Sequence, residues 1–133
     1  MCVFCEIAKG NIPSHKIYED DVVLAFFDIN PTSYGHTLVI PKEHSDSFLT
    51  CPDEIRSHVF RVASQIARQL KENLNCDGIN ILSNVGEAAG QSVGHFHVHI
   101  IPRYEDSPKE NVNISFGEIG DVDFEALITN VTR

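Results

Sequence analysis

Gly94-His95-Phe96-His97-Val98-His99-Ile100-Ile101-Pro102 decides the reading of this chain. Three histidines alternate with apolar residues, and a period of two belongs to a β-strand, whose successive side chains point to opposite faces. His95, His97 and His99 therefore share one face of the expected strand. Phe96, Val98 and Ile100 share the other and read as core. Residues two apart lie roughly 6.5–7 Å apart along a strand, so the imidazoles are expected to form a row. Pro102 has no N–H for a ladder and is expected to end the run.

Each ring has an ordinary pKa near ~6.5. Three readings of such a face compete. It is a polar strand face with incidental histidines, a catalytic metal site held by one strand, or metal-free nucleophilic chemistry by one imidazole that the others support. Zinc sites with three protein ligands and an open position make the second worth weighing. Only seven histidines occur in the chain, so three on one face argue against the first.

The loop before the strand is Val85-Gly86-Glu87-Ala88-Ala89-Gly90-Gln91-Ser92. Its glycines permit backbone conformations closed to other residues, and such a loop can aim N–H groups at an anion. Gly78–Asn84 alternates as a strand. Ahead of it, Ile55, Val59, Val62, Ala63, Ile66, Leu70 and Leu74 recur at helical spacing, one stripe of a five- to six-turn amphipathic helix. Pro52 suits its first turn, with Thr50 or Cys51 as cap. Arg56, Arg61, Arg68 and Lys71 fall off the stripe and read as solvated, and His58 has no evident role. Gly35–Pro41 and the apolar run Val22–Phe27 read as strands, the latter ending at Asp28 beside a loop. Lys16–Tyr18 is a further short strand, and a brief helix ends at Gly10. Residues 121–131 suggest a terminal helix. Short connections without a crossover helix favour an α+β fold, an antiparallel sheet packed under one long helix.

The 133 residues suit one domain spanning 1–133. A net charge of −9 argues against a broad nucleic-acid surface. No apolar run reaches the ~18 residues of a membrane span, and no secretory signal is evident, so a cytoplasmic location is expected. Cys2 and Cys5 form a CxxC, which there points to metal or redox chemistry. Cys51 and Cys76 read as free thiols.

The segment Gly90–Ile101, with Ala25–Ile29, Gly35–Lys42 and Asn84, resembles the histidine triad (HIT) superfamily, in particular its Hint-like nucleoside phosphoramidases and their bacterial members. The resemblance covers about residues 3–103, with 104–133 a variable tail. It implies a five-stranded antiparallel sheet with short terminal helices, and a homodimer. It also implies a purine nucleoside monophosphate derivative as substrate and no cofactor for catalysis. His97 matches the nucleophile that becomes nucleotidylated, a covalent strategy that splits one displacement into two easier steps. His99 matches the phosphate-contacting histidine, and His36 a further histidine that orients the active imidazoles. Asn84, Gly90, Gln91 and Ser92 match phosphate and leaving-group contacts. Asp28 matches the ribose-gripping acid, and Ile29, Phe4, Ile7, Phe26 and Leu38 the nucleobase slot. Bacterial relatives hold a structural zinc, and the matching positions are Cys2, Cys5, His44 and His95. Cleavage of dinucleoside polyphosphates, or nucleotide binding with little turnover, are the alternative functions. Two departures stand out. Gly94 replaces a usually larger residue, and Tyr104–Arg133 differs from the Trp-containing end of the animal proteins, which helps set leaving-group preference.

Overall fold

A computed structural model describes residues 1–106 and 117–132. Their elements are α1 (Val3–Ala8), β1 (Lys16–Glu19), β2 (Val23–Phe27), β3 (Thr37–Pro41), α2 (Asp53–Leu74), β4 (Gly78–Leu82), β5 (Val98–Arg103) and α3 (Phe124–Val131). The strands form one antiparallel sheet in the order β1-β2-β3-β5-β4. The expected α+β architecture is therefore present.

The sheet is covered on both faces. Val23, Ala25, Val39, Val98 and Ile100 point to one face and join Val59, Val62, Ala63, Ile66 and Leu70 of α2. Leu24, Phe26, Leu38 and Ile40 point to the other, where Phe4 and Ile7 of α1 meet them. This double cover explains why β2 and β3 read as continuous apolar runs rather than as alternating ones. Burying each large aliphatic side chain contributes about 1.5–3 kcal/mol, and the stripe on α2 supplies four of them.

Several expectations are corrected. β5 begins at Val98, so His95 and His97 precede the strand and only His99 lies in it. Pro102 does not end β5. β3 starts at Thr37, opposite Ile100, while β4 continues past it to pair Ile79 with Pro102, so Pro102 lies beyond the β3 ladder. The N-cap of α2 is Pro52, and no side chain caps it. Thr50 instead turns back to the Ser47 carbonyl. Nor are Arg56 and Lys71 simply solvated, whereas Arg61 and Arg68 are exposed. Arg56 donates to the Cys51 carbonyl at 2.7 Å and lies over the Phe48 ring. Lys71 donates to the Cys76 carbonyl at 2.7 Å. His58 bonds Asp20 at 2.6 Å and tethers α2 to the β1–β2 turn.

The terminal helix forms, starting at Phe124 rather than Asp121, and buries none of its residues. Cys51 and Cys76 are buried free thiols. No helix among the described residues is long and apolar enough to cross a membrane. Residues 107–116 of the variable tail lie outside the described residues.

Candidate active site and metal cluster

A cavity of about 420 Å³ opens on the α1 side of the sheet. Such a volume suits a small-molecule ligand. Its apolar walls include Phe4, Ile7, Ile12, Phe26, Leu38 and Val93, with Ile29 at the rim. Its polar groups include Asp28, Asn30, Ser92, His97 and His99. The residues expected in the nucleobase slot thus meet, although Ile29 is 77% exposed. Val3, Ile12, Pro13, Ser14 and Val93 also line the cavity and were not foreseen. Nothing local marks them: Val3 arrives on α1, and the other four reach the cavity through loop packing. The Ser14 hydroxyl is buried and has no hydrogen-bond partner among the described residues.

The hydrogen bonds assign a tautomer to each ring in turn. The His95 carbonyl lies 2.7 Å from Nδ1 of His97. A carbonyl only accepts, so Nδ1 carries the proton and Nε2 keeps its lone pair. Thr32 donates its N–H to Nδ1 of His36 at 3.1 Å. His36 therefore carries its proton on Nε2, which lies 3.0 Å from Nδ1 of His99. His99 in turn accepts at Nδ1 and holds its own proton on Nε2. The site contains one bare imidazole nitrogen and, on the neighbouring ring 4.9 Å away centre to centre, one N–H donor. Asp28 lies 3.8 Å from Nε2 of His36.

Burial governs the charge of these rings. Desolvation pushes His97 and His36 below the ordinary histidine value, although Asp28 pulls each upward. His99 is pushed down to about 4, first by burial and then by its neighbours His97 and His36. Neutral rings are the nucleophilic ones.

The residues expected on the phosphate side fall into two groups. Ser92 lines the cavity, whereas Asn84, Gly90 and Gln91 do not. Asn84 donates to the Gly90 carbonyl at 3.3 Å. Gln91 spends its carboxamide on the Gly86 N–H and on the carbonyls of Asp46 and Val93. Gly86 and Gly90 have φ of +87° and +92°, conformations that favour glycine and bend the loop back onto itself.

His95 leaves the expected row. Its Nε2–H donates to the Pro41 carbonyl at 2.8 Å, which bares Nδ1. That nitrogen lies 3.3 Å from Sγ of Cys2, 3.5 Å from Sγ of Cys5 and 3.2 Å from Nδ1 of His44. His44 donates Nε2–H to Asp46 at 2.9 Å, so its Nδ1 is bare as well. Two facing lone pairs at 3.2 Å repel unless a cation lies between them. The four donor atoms lie within 4.8 Å of one another, and their separations of 3.2 to 3.5 Å match the edges of a tetrahedron with metal–ligand bonds of about 2.0–2.3 Å. The cluster fits a metal ion. Phe4 of α1 sets its ring edge-on to His95 at 5.9 Å and to His97 at 5.0 Å, so it bridges cluster and cavity.

Comparison with known proteins agrees with this geometry. The model of the HIT domain matches residues 9–106. An uncharacterised HIT-like protein of Methanocaldococcus jannaschii is 44% identical over 98% of both chains. The crystal structure of a HIT family protein from Bacillus anthracis superposes with a TM-score of 0.90 at 42% identity, covering 98% of this chain and 92% of the other. An adenosine 5′-monophosphoramidase of Saccharomyces cerevisiae is 40% identical over 79% of this chain and 64% of its own length. The matched domain, the shared fold and the histidine-lined cavity together make this chain a member of the HIT domain family.

Proposed function

We propose that the chain is a nucleotide hydrolase and transferase that cleaves nucleoside 5′-phosphoramidates through a nucleotidyl-His97 intermediate. The observation that carries this reading is the bond from His97 Nδ1 to the His95 carbonyl, which leaves a neutral, cavity-lining ring with Nε2 bare. The yeast relative named as an adenosine 5′-monophosphoramidase supports the substrate class.

In this reading the base enters the slot between Phe4, Ile7, Phe26 and Leu38, and Asp28 accepts from the ribose hydroxyls. Nε2 of His97 attacks the α-phosphorus, and the P–N bond to the leaving amine breaks as the amine takes up a proton from solvent. The His95 carbonyl steadies the positive charge that the ring acquires. The Nε2–H of His99 and the hydroxyl of Ser92 donate to the phosphate oxygens. Water then attacks phosphorus, the bond to His97 breaks, and the nucleoside monophosphate leaves. Phosphoryl transfer of this kind needs mainly positioning and charge stabilisation.

Zinc is the ion we assign to Cys2, Cys5, His44 and His95. Two thiolates and two imidazoles close a tetrahedron, the pattern of a structural site. A Zn-bound histidine triad family protein from Mycobacterium smegmatis, 41% identical with a TM-score of 0.76 over 84% of each chain, supports this choice. The outer edge of β4, unpaired among the described residues and with Ile81 45% exposed, supports a homodimer whose sheets join there. Sedimentation at micromolar concentration tests that.

The decisive experiment is mass spectrometry of rapidly quenched mixtures with an adenosine phosphoramidate. Wild type is expected to gain one nucleotidyl group transiently, and His97→Ala none. Turnover of phosphoramidates without any His97 adduct would overturn the mechanism. Rates on diadenosine polyphosphates that exceed those on phosphoramidates would shift the substrate class to dinucleotides.

A further inference from the structure

We propose that Gln91 is a positioning residue that couples the metal cluster to the phosphate end of the nucleotide cavity, so that metal ion and nucleotide bind cooperatively. The inference rests on the nucleotide reading above. Gln91 directly precedes Ser92, which lines the cavity. Its Oε1 accepts from the Gly86 N–H at 2.9 Å, and its Nε2 donates to the carbonyls of Asp46 at 2.7 Å and Val93 at 3.0 Å. Both amide hydrogens and the oxygen are thereby used, so the side chain acts as a strut and not as a phosphate ligand.

The far end of that strut is the segment that carries a metal ligand. His44 donates to the Asp46 carboxylate at 2.9 Å while its other nitrogen faces the thiols. The intervening Ser45 offers its carbonyl to the Phe96 N–H at 2.7 Å. Residues 44–46 therefore grip the catalytic stretch twice, once just before Ser92 and once just before His97. An ion that fixes His44 fixes this segment, and with it the loop that presents Ser92. A nucleotide that orders the loop from the other side lowers the cost of ordering His44. Coupling of this kind is reciprocal, and typical couplings change affinity by roughly 5- to 150-fold.

The experiment measures zinc affinity of the full chain by competition with a chromogenic chelator, with and without saturating AMP. Calorimetry confirms AMP binding under the same conditions. AMP is expected to tighten zinc about tenfold in wild type and less than about twofold in Gln91→Leu. Gln91→Leu is also expected to bind zinc more weakly than wild type with no nucleotide present, which loss of a mere phosphate contact would not produce. AMP that binds but leaves zinc affinity unchanged overturns the coupling alone. AMP that fails to bind wild type overturns the nucleotide reading and the coupling with it. The wild-type comparison stands even if the variant fails to fold.

Discussion

The main-chain carbonyl of His95 and Nδ1 of His97 lie 2.7 Å apart, so the residue whose ring turns to two thiols also sets the tautomer of the ring that faces the cavity. Adjacent histidines of one motif thus serve two sites. The link runs through the backbone, which substitution of the His95 side chain would not remove directly.

This arrangement makes the metal cluster a support for the cavity. Cys5→Ser is expected to lower zinc content from about one ion per chain to near none. Cys5 sits in α1, between Phe4 and Ile7 of the apolar wall, so AMP affinity is expected to fall about tenfold or more as that wall loosens. Metal analysis and calorimetry on the same preparation check both. Zinc retained in Cys5→Ser but lost in His97→Ala would place the ion among the cavity histidines instead.

The chain of donors from Thr32 through His36 to His99 predicts a positioning role for His36. His36→Ala removes the donor to His99 Nδ1 and frees that ring to take the other tautomer. A drop in kcat of roughly 10- to 100-fold with little change in KM is expected. His36→Gln, whose amide can donate from nearly the same place, is expected to recover part of it. Steady-state kinetics on a phosphoramidate separate this from general unfolding, which would not respond to the conservative change.

Burial of the active rings sets a pH window. His99 titrates at about 4 in the folded chain, against ~6.5 unfolded. Between those values the unfolded chain binds more protons, so stability rises with pH. The contribution from His99 is full above ~6.5 and is lost as pH falls toward 4. His97 adduct formation is expected to persist below pH ~6.5, where a free histidine loses nucleophilicity, because burial pushes this ring below the ordinary value. Quenched-flow adduct yield and thermal melts across this range test the two statements. A midpoint near 6.5 in both would contradict them.

Stability also depends on a cluster remote from the cavity. Asp20 accepts from the N–H groups of Val22 and Val23 through Oδ1, and from Tyr18 and His58 through Oδ2. Burial works against its charge, yet these donors hold its carboxyl well below the usual carboxylate range. Asp20→Ala is expected to cost about 2–3 kcal/mol, since it strips donors at the β1–β2 turn and cuts the tie to α2. His58→Ala is expected to cost about 1 kcal/mol. Denaturant titration measures both, and adduct formation by His97 should survive each.

Periodicity along the chain was enough for the α+β class, the stripe of α2, and the apolar faces of β2, β3 and β5, because each depends on residues two to four positions apart. The resemblance carried by the histidine motif pointed to His36, His97 and His99 and to the four side chains of the thiol–imidazole cluster. Tertiary structure decided the rest. His95 turns out of the row because the strand begins only at Val98, and its ring finds Pro41, Cys2, Cys5 and His44, all more than fifty residues away in the chain. Gln91 points to Asp46 rather than to the cavity, and His58 meets Asp20 across the helix–turn gap. A local pattern specifies which face a side chain occupies. The partner it bonds is set by how distant segments pack, and that information exists only in the folded chain.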